Sequence, residues 1–351
     1  MGWYDISCMD IILSIIKMDS MIKKSVIVAS LLLSSFLSTM NAQQSAKGSK
    51  EPELKYALRV DFKQGVYSSY KMDEKTKVQR LYRDSITKNY QRILSYNFTQ
   101  SPKSPNDETL PLITNIDSMK YAFKEGPTEL IYDSQNPKAA TVNTEFPDAI
   151  SNMGLLNHQF ALMYNPKTEV VKVDGVDQPG DIKWLRNYIN DDNGEALDTA
   201  QKFTWLHAIA DEQAIYIGDV SKSLIAGKMV ISPDSVWKRP IRLRLDGIDC
   251  FDTVEIRVIS YAKGEYVLEA ISKALTPDYS HDARFFGVPA PVQIKTGKGT
   301  GKILVEITSS GWVKKVAFDY NIEIESMYKR EPFTQKIETN SVWTLLGRYK
   351  W

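Results

Sequence analysis

Every second residue is apolar over long stretches of this chain, and that alternation restricts its fold more than any other feature. The longest such stretch spans 312–324, where five residues share one face: Val316, Phe318, Tyr320, Ile322 and Ile324. Side chains of a strand point alternately to opposite faces, so a period of two predicts strands with one buried face. The same pattern predicts further strands at 54–60, 66–72, 88–99, 113–123, 129–132, 159–164, 169–173, 241–245, 254–258, 266–271 and 302–307.

Short turn sequences separate neighbouring strands, at Gly126-Pro127, 165–167, Lys263-Gly264 and 309–311. Strands joined by such tight turns pair antiparallel. By the same reasoning, 66–72 is expected to return along 54–60 as a hairpin after Gly65.

The glycine-rich segment 295–302 (KTGKGTGK) resembles a phosphate-binding loop, but its spacing differs. That loop has four residues between its first glycine and a Gly-Lys-Ser/Thr triplet, whereas Ile303 follows Gly301-Lys302 here. The segment is therefore predicted to be a flexible turn between extended stretches at 291–294 and 303–305.

The period changes in the middle of the chain. Apolar residues recur at steps of three and four in 182–189 and 195–210, which predicts two amphipathic helices. A further short helix is expected at 148–156. The predicted fold class is therefore α+β: a mainly antiparallel, curved, half-barrel-like sheet with the middle helices packed on one face. Residues 54–351 are expected to form a single domain.

Composition and motif spacing exclude several kinds of chemistry. The chain has 44 basic and 43 acidic residues, a formal net charge of +1, so no nucleic-acid partner is expected. Its three histidines are not at metal-ligand spacing, and HExxH, CxxC and GxSxG patterns are missing from the sequence. The sequence therefore predicts no catalytic residue, no metal site and no cofactor, and Cys250 is expected to be a half-buried, inert thiol.

An export signal is predicted at 21–42. Two lysines, 23 and 24, precede an apolar run at 25–36, and Ala42 precedes the expected cleavage site, with Gln43 as the new N-terminus. Residues 1–20 are acidic and fit no signal, so translation is expected to start at Met21. Residues 43–53 are predicted to be a flexible leader. The mature protein is expected to be periplasmic or secreted, without an integral membrane span.

Three stretches of the mature chain resemble a bacterial family of exported proteins, domain of unknown function 6263. They are 54–58 (LKYAL) with Gly65 and Tyr67, 170–176 (VVKVDGV), and 232–237 (SPDSVW) before an arginine-rich strand. The resemblance implies no catalytic residues. The predicted layout is also similar to lipoprotein-carrier half-barrels, in which a curved sheet is closed by helices over an apolar cavity.

Three functions remain open on this basis. The first is non-enzymatic binding of a lipid, another apolar ligand or an envelope protein partner between sheet and helices, through Trp184, Tyr188, Phe203 and Trp205. The second is a structural or interaction protein that uses its sheet edges or the aromatic tail 333–351. The third is a hydrolase whose site is dispersed in the sequence.

Overall fold

The computed structural model describes residues 56–105, 109–139, 159–165, 169–175, 222–280 and 292–350, with 149, 152, 156, 167, 283, 285 and 288 between them. This part of the chain is almost entirely β-structure. Its strands are β1 (Tyr56–Arg59), β2 (Val66–Tyr82), β3 (Ser85–Pro102), β4 (Leu110–Glu125), β5 (Thr128–Asp133), β6 (Gln159–Tyr164), β7 (Val170–Asp174), β8 (Lys228–Ile231), β9 (Val236–Leu245), β10 (Ile248–Ala262), β11 (Glu265–Pro277), β12 (Gln293–Thr308), β13 (Val313–Tyr328) and β14 (Glu331–Lys350).

Twelve of these strands form one antiparallel sheet. Its order is β7-β6-β4-β3-β2-β14-β13-β12-β11-β10-β9, and β5 pairs with β4 beside this path. The strands β1 and β8 form a separate antiparallel pair. Since β14 pairs with both β13 and β2, the predicted aromatic tail is a central strand of the sheet.

The two faces of the sheet differ in polarity, as the period of two predicts. In β13 the five apolar residues of the predicted shared face are all buried. The opposite face of the same strands carries charged pairs, such as Lys336 Nζ at 3.0 Å from Glu323 Oε2. On that face Lys302, followed by Arg257, holds the pKa of Glu269 below its usual range through hydrogen bonds. The long strands therefore have one apolar inner face and one solvated outer face.

The core lies on the inner face, where hydrogen bonds join strands that are not neighbours in the sheet. The Tyr90 hydroxyl of β3 donates to Asp246 in the β9–β10 turn at 2.7 Å. The Tyr70 hydroxyl of β2 donates to the Val313 carbonyl of β13 at 3.2 Å, and burial raises the pKa of Tyr70 to about 12. Other parts of the same sheet therefore cover its inner face in part.

The α+β prediction is wrong, since strands build almost all of the described core. In the described residues helix is confined to one short 3-10 turn, Pro137–Ala139, and the helical positions 149 and 152. The predicted helices at 182–189 and 195–210 lie outside the described residues. None of the helical segments described has the length and apolar character needed to cross a bilayer.

Two smaller predictions also fail. The segment 295–302 is not a turn but the middle of β12, where alternate glycines face inward. At Gly301 a side chain would collide with the Tyr320 ring of β13, since an added Cβ would lie 2.2 Å from Tyr320 Cδ1. The stretches at 54–60 and 66–72 do not form a hairpin, because β1 pairs with β8 and β2 pairs with β3 and β14.

Candidate functional site

The strands at the two ends of the sheet order, β7 and β9, line a common cavity. The gap between them, called the seam below, holds a cavity of about 280 Å³. Its lining is mostly apolar and comes from both edges and from β10: Val170, Val171, Val173, Pro240, Ile241 and Phe251. The polar lining residues are Glu169, Lys172, Ser223 and Arg242. The ends of the strand order thus approach each other and leave an apolar space between them.

Both edges carry features that oppose the addition of another strand. No backbone ladder joins β7 to β9 among the described residues. Pro240 has no N–H to offer a partner strand, and proline in a sheet is typical of an edge. The strand β7 has five residues and carries exposed Lys172. The seam is therefore better suited to a side-chain-lined ligand than to an added peptide strand.

Arg239 of β9 holds one side of the seam closed. Its Nη2 donates to the Lys167 carbonyl at 2.9 Å and lies 3.3 Å from Glu169 Oε1, across the seam. Its Nε donates to the Ser223 carbonyl at 2.8 Å. Arg239 is buried. Its contacts neutralise Glu169 and fix the β6–β7 turn against β9.

Arg242 is a second cation of the seam. Its Nη2 donates to Asp249 Oδ2 at 2.7 Å, and its Cζ lies 5.9 Å from the Phe251 ring centroid. The same carboxylate accepts a hydrogen bond from Arg244 Nη1 at 3.1 Å. The buried Nε of Arg242 has no hydrogen-bond partner. That donor is covered by protein atoms, whereas two guanidiniums share one carboxylate beside the apolar cavity.

A second apolar groove, called the outer groove below, lies on the outer face of β3, β4 and β5. It measures about 340 Å³ and includes the exposed side chains of Ile93 and Ile131. Its charged groups are paired, with Lys120 Nζ at 3.0 Å from Asp133 Oδ2. The backbone N–H of Gln135, followed by Lys120, holds the pKa of Asp133 below its usual range. The groove therefore has less to offer a polar ligand group than the seam has.

A buried polar cluster inside the sheet has a structural role. The Asp246 carboxylate accepts hydrogen bonds from Tyr90, from Arg92 Nη1 at 3.1 Å and from Gln335 Nε2 at 3.2 Å. Arg80 donates to Gln335 Oε1 at 2.7 Å from Nη2. Since protein side chains already supply these donors, the cluster fixes the β9–β10 turn to β3 and β14.

The residues predicted as a site do not fall in the described part of the chain. Trp184, Tyr188, Phe203 and Trp205 lie outside it, as do Ala42 and Gln43 at the predicted cleavage site. They stay predictions. The seam was missed in the sequence, because its walls come from 169–173, 223, 240–242 and 251. Pro240 inside an arginine-rich strand is the local signal that could have marked β9 as an edge.

Comparisons with known proteins leave the chain unassigned. Neither a protein-family model nor a curated protein matches it. Among solved structures, lipovitellin is similar at 9% identity and a TM-score of 0.44, over 83% of this chain and 26% of the lipovitellin chain. An outer membrane channel from Pseudomonas putida F1 is similar at 6% identity and a TM-score of 0.25, over 86% of this chain and 100% of its own. Likenesses this low identify no function, and the resemblance to the exported family stays a prediction.

Proposed function

We propose that this chain is an exported, non-enzymatic binding protein that holds the apolar part of a small ligand in the seam. The observation that carries the proposal is the cavity itself, with six apolar lining residues between two edge strands. Its volume of about 280 Å³ is close to the lower end of ligand pockets, about 300–1,000 Å³. Export is the predicted part of this proposal and is supported by the signal pattern at 21–42.

The size of the cavity limits the ligand to a single short chain or a small ring system. Each buried methylene contributes about 0.8 kcal/mol, so eight of them contribute about 6 kcal/mol. That free energy corresponds to a dissociation constant of about 10–100 µM. The interaction is thus weak enough to release the ligand and strong enough to measure.

Val171 offers a direct test, because it lines the seam and is 54% exposed, so its replacement should leave the fold intact. The uncharged fluorophore N-phenyl-1-naphthylamine should brighten on binding and should be displaced by decanol. Val171→Arg should abolish both effects. The matched control is Ile131→Arg in the outer groove, where the isoleucine is 43% exposed. Equal binding by both variants, or an absence of binding to the unaltered chain, would overturn the proposal.

A further inference from the structure

We infer that the seam ligand is a single-chain amphiphile with a terminal oxyanion, and that Arg242 binds this group. The inference rests on the proposed function and adds the charge and position of the headgroup. It starts from Arg242, a partly exposed lining guanidinium that shares one carboxylate with Arg244. Arg239, by contrast, is committed to Lys167, Glu169 and Ser223.

The hydrogen bonds of Arg242 leave room for an anion. A guanidinium has five N–H donors in a planar fork. Arg242 uses Nη2 on Asp249, and its side chain is 37% exposed, so donors other than the buried Nε can be reached from the cavity. Because Asp249 also accepts from Arg244, it divides its charge between two guanidiniums. The two guanidiniums therefore keep net positive charge beside the cavity, and a carboxylate or phosphate oxygen would neutralise it.

The other charged groups of the lining do not compete for this position. Glu169, the lining carboxylate, is bound by Arg239. Lys172 pairs with Asp174 at 3.2 Å on the exposed rim, where both side chains are more than half exposed. The lining therefore presents no free carboxylate that would repel an anion next to Arg242.

The apolar wall begins directly beside the Arg242 guanidinium. Phe251 is the residue paired with it across β9 and β10, and the Phe251 ring centroid lies 5.9 Å from Arg242 Cζ. An oxyanion at Arg242 would therefore be continuous with the apolar walls that receive the chain. Carboxylates and phosphates both match the planar fork of arginine, so either oxyanion has the required chemistry. A volume of about 280 Å³ accommodates one short chain rather than two.

Four ligands with the same ten-carbon chain separate headgroup from tail: decanol, decanoate, decyl phosphate and decyltrimethylammonium. Competition with N-phenyl-1-naphthylamine at a pH of about 8, where the carboxylate is ionised, gives each affinity. The two oxyanions should bind about tenfold more tightly than decanol, and the cation more weakly. Arg242→Gln should remove the preference, so that decanoate and decyl phosphate bind this variant no more tightly than decanol binds it. The control Arg257→Gln, on the outer face, should keep it, and a circular-dichroism melt checks that each variant folds.

The outcomes distinguish this inference from the proposed function. If decanol binds as tightly as decanoate and decyl phosphate, or if Arg242→Gln keeps the preference, the headgroup inference is wrong and the apolar seam stands. If none of the four ligands binds, the proposed function falls and the inference falls with it. A preference for decyl phosphate over decanoate would identify a phosphate headgroup, and the reverse would identify a fatty acid; either result supports an oxyanion.

Discussion

Replacing Asp246 should loosen the β9–β10 turn from the interior of the sheet. This residue has φ +51° and is followed by Gly247 at φ +81°, as in the two-residue hairpin turns that favour Asp-Gly. Its side chain is 1% exposed and faces Arg92, which is 9% exposed. Removal of the carboxylate would therefore leave a buried guanidinium with one fewer counter-charge.

The expected magnitude follows from that burial. Breaking a buried ion pair by removing one partner costs about 3–5 kcal/mol, and we expect this for Asp246→Ala. Asp246→Asn keeps an acceptor for Tyr90 and tolerates a positive φ, so its cost should be about 2 kcal/mol. An exposed pair such as Lys336 with Glu323 contributes less than about 1 kcal/mol. The Glu323→Gln variant is therefore the matched control.

Urea unfolding, followed by tryptophan fluorescence and by circular dichroism, measures these differences. A double-mutant cycle with Arg92→Met and Asp246→Asn should give a coupling energy above about 1 kcal/mol. The same cycle on Lys336 and Glu323 should give less than about 0.5 kcal/mol. Equal losses in Asp246→Asn and Glu323→Gln would refute the view that the turn is fixed through its carboxylate.

Three further predictions concern the sheet itself. Gly301→Ala should lower the free energy of unfolding by about 1–3 kcal/mol, because its Cβ meets the buried Tyr320 ring; an unchanged urea midpoint would contradict this close approach. Burial raises the pKa of the Cys250 thiol. In a Cys8→Ser chain, where Cys250 is the remaining cysteine, a thiol reagent should therefore react with the unfolded protein and not with the folded one. Rapid labelling of the folded protein would show that this thiol is accessible. The cations beside Glu269 lower its pKa, so the ionised side chain contributes its full stabilisation above about pH 4.3 and loses it as pH falls through the lower folded-state pKa. Glu269→Gln should therefore weaken the pH dependence of the urea midpoint over that range. If the midpoint falls with acid as it does in the unaltered chain, Glu269 makes no such contribution.

Local alternation predicted strands well and predicted their distant partners poorly. The hairpin of 302–307 with 312–324 is confirmed in β12 and β13, because a tight turn joins neighbours in sequence. The antiparallel pairing of 159–164 with 169–173 is confirmed in β6 and β7. The second partner of β2, besides β3, is β14, and no local pattern identifies a strand more than 250 residues away. The glycines of 295–302 were misjudged because glycine marks turns and close strand contacts alike.

The candidate site could not be predicted for a related reason. A strand at the edge of a sheet has the same alternation as a central one, so 170–174 and 236–245 gave no sign of facing each other. The sharing of one carboxylate by Arg242 and Arg244 is likewise a property of packing and not of sequence. What the sequence could indicate was limited to Pro240, whose missing N–H suits an edge.

The central place of β14 has a consequence for the order in which the chain folds. As synthesis proceeds, β2 to β4 and β9 to β13 can form as hairpins soon after they emerge. Each ribbon then ends on a strand with one open edge, β2 with 17 residues and β13 with 16. Such long open edges recruit strands from other chains, and joining them requires closure of a very long loop, which slows folding. The growing protein thus stays incomplete until β14 enters between the two ribbons, and a chaperone that shields their edges would act during that interval.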